Sequence, residues 1–269
     1  FADAIYLNRT ETRLRIVNGP SVESLSAIRR GAAPELDSPQ RSLPWERIQS
    51  RWNQTVEGRS LASLTVRNGT AYAQDNTGTL YAVDTDSGEQ LWTHRFNASL
   101  VSTPTVTDNS LYLGTGAQRL IAIDSTTGER RWTQQVSGPV IEAPTVREQT
   151  LYAATAGGEL FALNQATGAK VWEEPLSRAA TATVTVHDDT VIVPRRETLS
   201  AVDMQTGEPD WEVSIGGAVS PALSFSNGTV YLTSIEPAQQ KATIHAVDMA
   251  TGGTEWTYEI ADTVRVRHT

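Results

Sequence analysis

Cysteine is absent from this chain of 269 residues, which excludes disulfides, thiolate metal sites and cysteine nucleophiles and leaves the redox compartment open. Lysine is nearly absent: Lys170 and Lys241 stand alone, and the other 20 of the 22 basic residues are arginines, a bias that suggests a GC-rich and salt-adapted source. There is no excess of positive charge, the net charge being −9 with a pI near 5.0. The arginines are scattered rather than strung along one stretch, so nucleic acid is not expected as a partner. No apolar run approaches the ~20 residues that cross a bilayer as a helix, and no membrane span is expected. A charged and then apolar leader is also missing at Phe1, so any targeting segment is expected to lie outside these residues or to have been removed.

Motifs of catalysis are missing too. No G-x-S-x-G elbow accompanies the Ser, His and Asp residues, and neither Gly157-Gly158 nor Gly216-Gly217 leads into a phosphate-binding GK[ST] start, so both pairs read as turns. The four histidines, His94, His187, His245 and His268, have no metal-binding spacing. Asp84-Thr-Asp86-Ser-Gly88-Glu89 resembles a calcium loop only superficially: glycine stands at one ligand position, and no glutamate stands at the position of the ligating one. No catalytic residue, metal or cofactor is expected.

What the chain does have is a repeat. Ala82-Val-Asp84-Thr-Asp-Ser-Gly88-Glu-Gln-Leu-Trp92 and Ala122-Ile-Asp124-Ser-Thr-Thr-Gly128-Glu-Arg-Arg-Trp132 are one motif. It returns at Ala162–Trp172 with Asn164 and Gly168, at Ala201–Trp211 with Asp203 and Gly207, and at Ala246–Trp256 with Asp248 and Gly252. Trp52 extends the comb to six tryptophans, at intervals of 40, 40, 40, 39 and 45 residues. A fixed period near 40 marks a propeller or solenoid. The Asp side chain can accept bonds from N–H groups two or three residues on, and Gly supplies a positive φ, which makes a tight turn. The Trp that follows is large and flat enough to fill the space between neighbouring sheets.

Each repeat divides into four strands, for example Ser102–Thr107, Ser110–Thr115, Arg119–Asp124 and Glu129–Val136. Segments such as Leu120-Ile-Ala-Ile123 are apolar on consecutive residues, as expected of sheets covered on both faces. Aligned on this pattern, the N-terminal repeat has strands at about 4–8, 13–18 and 51–56 but no innermost strand; residues 262–268 at the C-terminus are expected to supply it. The fold class is therefore all-β: a six-bladed β-propeller of four-stranded antiparallel blades in one domain, 1–269, its ring closed by the pairing of the C-terminal strand with the N-terminal blade. Between Asn18 and Trp52 lie 34 positions where eight is the rule, an insertion over about 19–50 with a short helix expected at 21–31.

The A-x-D-x-x-[TS]-G-x-x-x-W pattern resembles the tryptophan-docking repeats of the pyrroloquinoline-quinone-like propeller family, over nearly the whole chain. The resemblance implies either a quinone-dependent dehydrogenase or one of the family's non-enzymatic envelope and extracellular members. The dehydrogenases have eight blades, a calcium-held quinone, a catalytic Asp and often a vicinal cysteine pair; this chain departs from them in blade number and cysteine, and its aspartates are nearly all taken up by the turn. The expected function is a non-catalytic protein-binding or assembly propeller, extracellular or surface-associated, with other proteins of an envelope, appendage or surface as partners. Alternatives are glycan or small-ligand recognition at the central opening, lined around Ser102, Thr103, Ala143, Thr183 and Ser220, and the quinone enzyme.

Residues outside the repeat's packing roles are free for recognition. They are Arg29, Arg30, Arg41, Trp45 and Arg47 in the insertion, Arg195 and Arg196 in the turn Pro194–Glu197, and the loop Ile235–Lys241. Five sequons, at Asn8, Asn53, Asn68, Asn97 and Asn227, are candidate glycan acceptors, although Asn68-Gly69 and Asn227-Gly228 also read as hairpin turns.

Overall fold

A computed structural model describes residues 3–8, 13–18, 49–55, 61–75, 77–177, 179–236 and 241–260. Every regular element among them is a strand, and every strand pairing is antiparallel. The chain forms two compact units, Phe1–Leu100 and Val101–Thr269. The helix expected at 21–31, the five recognition residues of the insertion and the closing strand at 262–268 lie outside the described residues.

Among the described residues the first unit holds two sheets. One is three-stranded, made of Asp3–Asn8, Arg13–Asn18 and Gln49–Thr55 in that order; the other is four-stranded, made of Leu61–Arg67, Thr70–Asp75, Thr79–Asp84 and Gln90–Arg95. The second unit begins with three four-stranded meanders. Thr105–Val106, Ser110–Thr115, Arg119–Asp124 and Arg130–Gln135 make the first of these. Thr145–Arg147, Thr150–Ala154, Glu159–Asn164 and Lys170–Pro175 make the second, and Thr185–His187, Thr190–Pro194, Thr198–Asp203 and Pro209–Ser214 the third. In the last sheet the innermost strand is split into Ala218–Val219 and Ser224–Ser226 on either side of Pro221, followed by Thr229–Glu236, Lys241–Asp248 and Thr254–Ile260.

In the repeat at 102–136 the three outer strands, Ser110–Thr115, Arg119–Asp124 and Arg130–Gln135, fall within a residue of their expected bounds, but the innermost is shorter: Thr105–Val106 replaces the expected Ser102–Thr107; in the N-terminal repeat Gln49–Thr55 begins two residues before the expected 51. Pro104 has no N–H for a ladder. Its neighbour Ser102 compensates by accepting the N–H of Gly114 on its Oγ, at 2.7 Å.

The core of the second unit lies between consecutive sheets rather than within any one. In Glu159–Asn164, Leu160 and Ala162 pack toward Val191, Val193 and Met204, whereas Phe161 and Leu163 pack the other way, toward Tyr112, Leu120 and Ala122. Period-2 alternation therefore persists with both faces apolar. Burial of each of the larger side chains among them, such as Leu160, Phe161 and Val191, contributes about 1.5–3 kcal/mol.

Candidate functional site

The repeated contact between sheets is built from the turn outward. Asp203 Oδ1 accepts the N–H groups of Gln205 and Thr206 and the Thr206 hydroxyl, while Gly207 N–H closes the turn onto the Asp203 carbonyl. Asp84, Asp124, Asn164 and Asp248 hold their loops in the same way. These bonds, led by the Thr206 N–H at Asp203 and the Ser87 N–H at Asp84, keep the carboxyls below their usual range. At Asp124 the Arg131 guanidinium, 2.6 Å away, adds most and brings the value to about 2.

Gly88, Gly168, Gly207 and Gly252 each serve as the seat of the tryptophan from the preceding sheet. A β-carbon built on these glycines would lie 2.5–2.6 Å from a ring atom of Trp52, Trp132, Trp172 and Trp211, respectively, closer than any side chain could approach. The indole N–H groups then donate to Thr85, Gln165, Met204 and Met249 carbonyls at 2.8–3.0 Å. Within the five sheets that hold Trp92, Trp132, Trp172, Trp211 and Trp256 the tryptophan stands opposite a fully buried alanine (Ala82, Ala122, Ala162, Ala201 or Ala246), and the ladder shifts register immediately after that pair. The bulge re-aims the indole toward the neighbouring sheet, and the alanine leaves room for it.

A tyrosine completes this row, and its part is visible only across strands. Tyr112 and Tyr152 lie 5.8 and 5.9 Å from Trp132 and Trp172, and their phenols donate to the same Gln165 and Met204 carbonyls that the indoles reach. The sequence signal was the recurrent Leu/Val-Tyr of the second strand. Trp256 departs from the pattern. It contacts Tyr231 but stays 47% exposed, next to Tyr258 at 62%.

The expected recognition pair separates. Arg196 is exposed, whereas Arg195 is buried, its guanidinium held 2.6 Å from Glu212 and bonded to the Ser177 hydroxyl. It stands where the neighbouring sheets have Thr115 or Thr155 and ties a connecting segment to an outer strand, so its charge is already committed. The Ile235–Lys241 hairpin carries two strands of eight residues, with Lys241 paired to Glu259; residues 237–240 lie outside the described residues. Of the residues expected at a central opening, Ser102 is buried and bonded to Gly114, and Thr183 donates to Glu142. Ala143 and Ser220 are half-buried, and Thr103 is exposed.

A further polar site not anticipated from sequence is the buried Asp75. Burial alone would push its carboxyl up. The Thr79 N–H, the Thr77 hydroxyl and N–H, and the Tyr81 phenol outweigh that and hold it down.

Residues 48–258 match the family model described as outer membrane protein assembly factor BamB. Among solved structures, BamB from Moraxella catarrhalis is similar at a TM-score of 0.66 and 20% identity, over 78% of this chain and 64% of that one. A europium-containing methanol dehydrogenase is similar at 0.67 and 11%, over 96% and 69%. A quinohemoprotein alcohol dehydrogenase from Pseudomonas putida is similar at 0.56 and 16%, over 73% and 41%. At these identities the likeness is one of fold, and the chain spans 64% of the BamB structure's length. No curated protein matches in sequence.

The family resemblance raises, for its dehydrogenase members, a quinone held by calcium, an ion that takes about 6–8 oxygen ligands. Among the described residues no three of His, Cys, Asp or Glu gather as metal ligands, and the turn aspartates are committed to their own loops. The described residues do not fit that group.

Proposed function

The chain belongs to the PQQ-like repeat β-propeller family described as outer membrane protein assembly factor BamB, and from that membership we propose that it is a non-catalytic propeller that binds other proteins during assembly at a cell envelope or surface. The observation that carries this reading is that the repeat consumes its own chemistry: the turn carboxylates, the indole N–H groups of Trp52, Trp132, Trp172 and Trp211, and Arg195 are spent inside or between sheets. What remains for recognition is sequence outside the repeat, namely the insertion at 19–50 with Arg29, Arg30, Arg41, Trp45 and Arg47, together with exposed Arg196.

The architecture proposed with it is a single six-bladed ring over 1–269, in which residues 262–268 pair with Asp3–Asn8 and remove the exposed sheet edges. Removal of 260–269 then lowers thermal stability, and an unchanged melting temperature rejects the closure.

The function is tested by copurification from the native source, with partners identified by mass spectrometry for the intact chain and for a variant lacking 21–48. Loss of a specific protein partner on deletion supports the reading, and retention removes the insertion from it. The dehydrogenase neighbours supply the second reading. Dye reduction with alcohols or sugars after addition of quinone and calcium would establish that reading in place of the first.

A further inference from the structure

The segments that leave the outer strands Gln90–Arg95, Arg130–Gln135 and Lys170–Pro175 keep one backbone register. Phe96, Val136 and Leu176 donate their N–H groups to Gly78, Gln118 and Gly158, which makes the next residues, Asn97, Ser137 and Ser177, structurally equivalent. At two of these positions the side chain is a tether. Ser137 gives its N–H and hydroxyl to Glu159, and the Ser177 hydroxyl accepts from Arg195. At the third, Asn97 is exposed, and its amide has no partner among the described residues. Asn97 also opens the triplet Asn97-Ala98-Ser99, whose serine is exposed and whose backbone lies outside any strand.

The other sequons are differently placed. Asn68 and Asn227 sit at φ +48° and +49° in tight hairpin turns. Their hydroxyl residues are locked into ladders, Thr70 opposite Arg67 and Asp84, and Thr229 opposite Ser226 and Asp248 with its hydroxyl on Glu255. Asn8 and Asn53 lie in paired strands, opposite Arg13 and Arg15. A transferase must draw the amide and the hydroxyl two residues on into one site, which at these four positions means peeling a strand from its sheet.

We propose that Asn97 is the N-glycan acceptor of the folded chain, taking an oligosaccharide from a lipid-phosphate-linked donor. In the transfer, Asn97 Nδ2 forms a bond to the anomeric carbon of the donor sugar. The bond from that carbon to the phosphate oxygen breaks, the lipid phosphate leaves with the electron pair, and one Nδ2 proton passes to a base of the transferase.

The test incubates the folded chain with a purified oligosaccharyltransferase and its lipid-linked oligosaccharide, followed by intact-mass measurement and peptide mapping. The expected result is one addition, at Asn97, with occupancy at Asn68 and Asn227 lower by at least about tenfold because their ladders must open first. Asn97→Gln and, independently, Ser99→Ala each remove the addition while leaving the circular dichroism spectrum unchanged. Proteolytic peptides containing Asn68 or Asn227 are modified, which shows that the fold and not the local sequence protects them. Absence of glycan at Asn97 in the folded chain, or equal occupancy at Asn68 or Asn227, overturns the proposal.

Discussion

Trp172 lies so flat on Gly207 that a β-carbon on the glycine would stand 2.6 Å from two ring atoms. The indole N–H reaches the Met204 carbonyl at 3.0 Å from the same position, so ring and hydrogen bond share one geometry. Gly207→Ala combines this overlap with a backbone at φ +77° and is expected to cost roughly 2–5 kcal/mol in chemical denaturation. Gly228→Ala separates the two terms. That glycine has φ +76° with nothing within 4 Å of the added carbon, so its loss is about 1–2 kcal/mol. Equal losses at the two sites would remove the steric account of docking.

The tryptophans of the repeat are unequal. Trp172 is buried, bonded and ringed by Tyr152, Leu160 and Val193, and Trp172→Ala is expected to cost about 3–5 kcal/mol. Trp256 is 47% exposed, and Trp256→Ala is expected to cost less than about 1 kcal/mol by the same measurement. A comparable loss at both would show that Trp256 is docked in solution.

Arg195 and Glu212 form an asymmetric pair, with side chains 4% and 49% exposed. Glu212→Gln leaves a buried guanidinium without its counter-charge and is expected to cost about 1–3 kcal/mol, less than a fully buried pair because Glu212 is partly solvated. Arg196→Gln, on the exposed neighbour, is expected to change stability by less than about 0.5 kcal/mol. Urea titrations of the two variants make the comparison.

Acid acts in two steps of the same sign. His245 is held below its ordinary 6.5 first by burial and then by Lys241, and Ser234 bonds its ring at 2.8 Å. The unfolded chain binds the proton first, so stability falls as pH drops below about 6.5, and His245→Gln removes that step. Asp124, at about 2 in the fold against an ordinary 3.8, contributes stability above that ordinary value and loses it as pH falls toward 2. Asp124→Asn flattens the lower part of a stability curve measured from pH 7 to pH 2. A flat curve in the parent protein would contradict both assignments.

The turn and its tryptophan were legible because Asp, Gly and Trp act over eight residues, and the reason for each is local. Strand bounds followed for the same cause. What could not be read was whatever depends on a residue that another strand or connecting segment brings close. Arg195 looks like a loop cation beside Arg196 until Ser177 and Glu212 are placed against it, and Asp75 looks like an ordinary turn residue until Tyr81 is seen to close over it. The tyrosines that share an acceptor with Trp132 and Trp172 escaped notice because the two aromatic residues of each pair are 20 positions apart, Tyr112 from Trp132 and Tyr152 from Trp172.

The seats run one way along the chain: Trp52 on Gly88, Trp132 on Gly168, Trp172 on Gly207 and Trp211 on Gly252. The sheets that end in Lys170–Pro175 and Pro209–Ser214 thus each offer a socket in one turn and a plug on the outer strand. A stretch from the residue after Trp132 through Trp172 contains one of each, so duplicating or excising it leaves every socket matched to a plug. A gene encoding such a chain can lengthen or shorten by recombination in whole steps of about 40 residues with the local seat-and-indole contacts kept, because these contacts involve only neighbouring repeats.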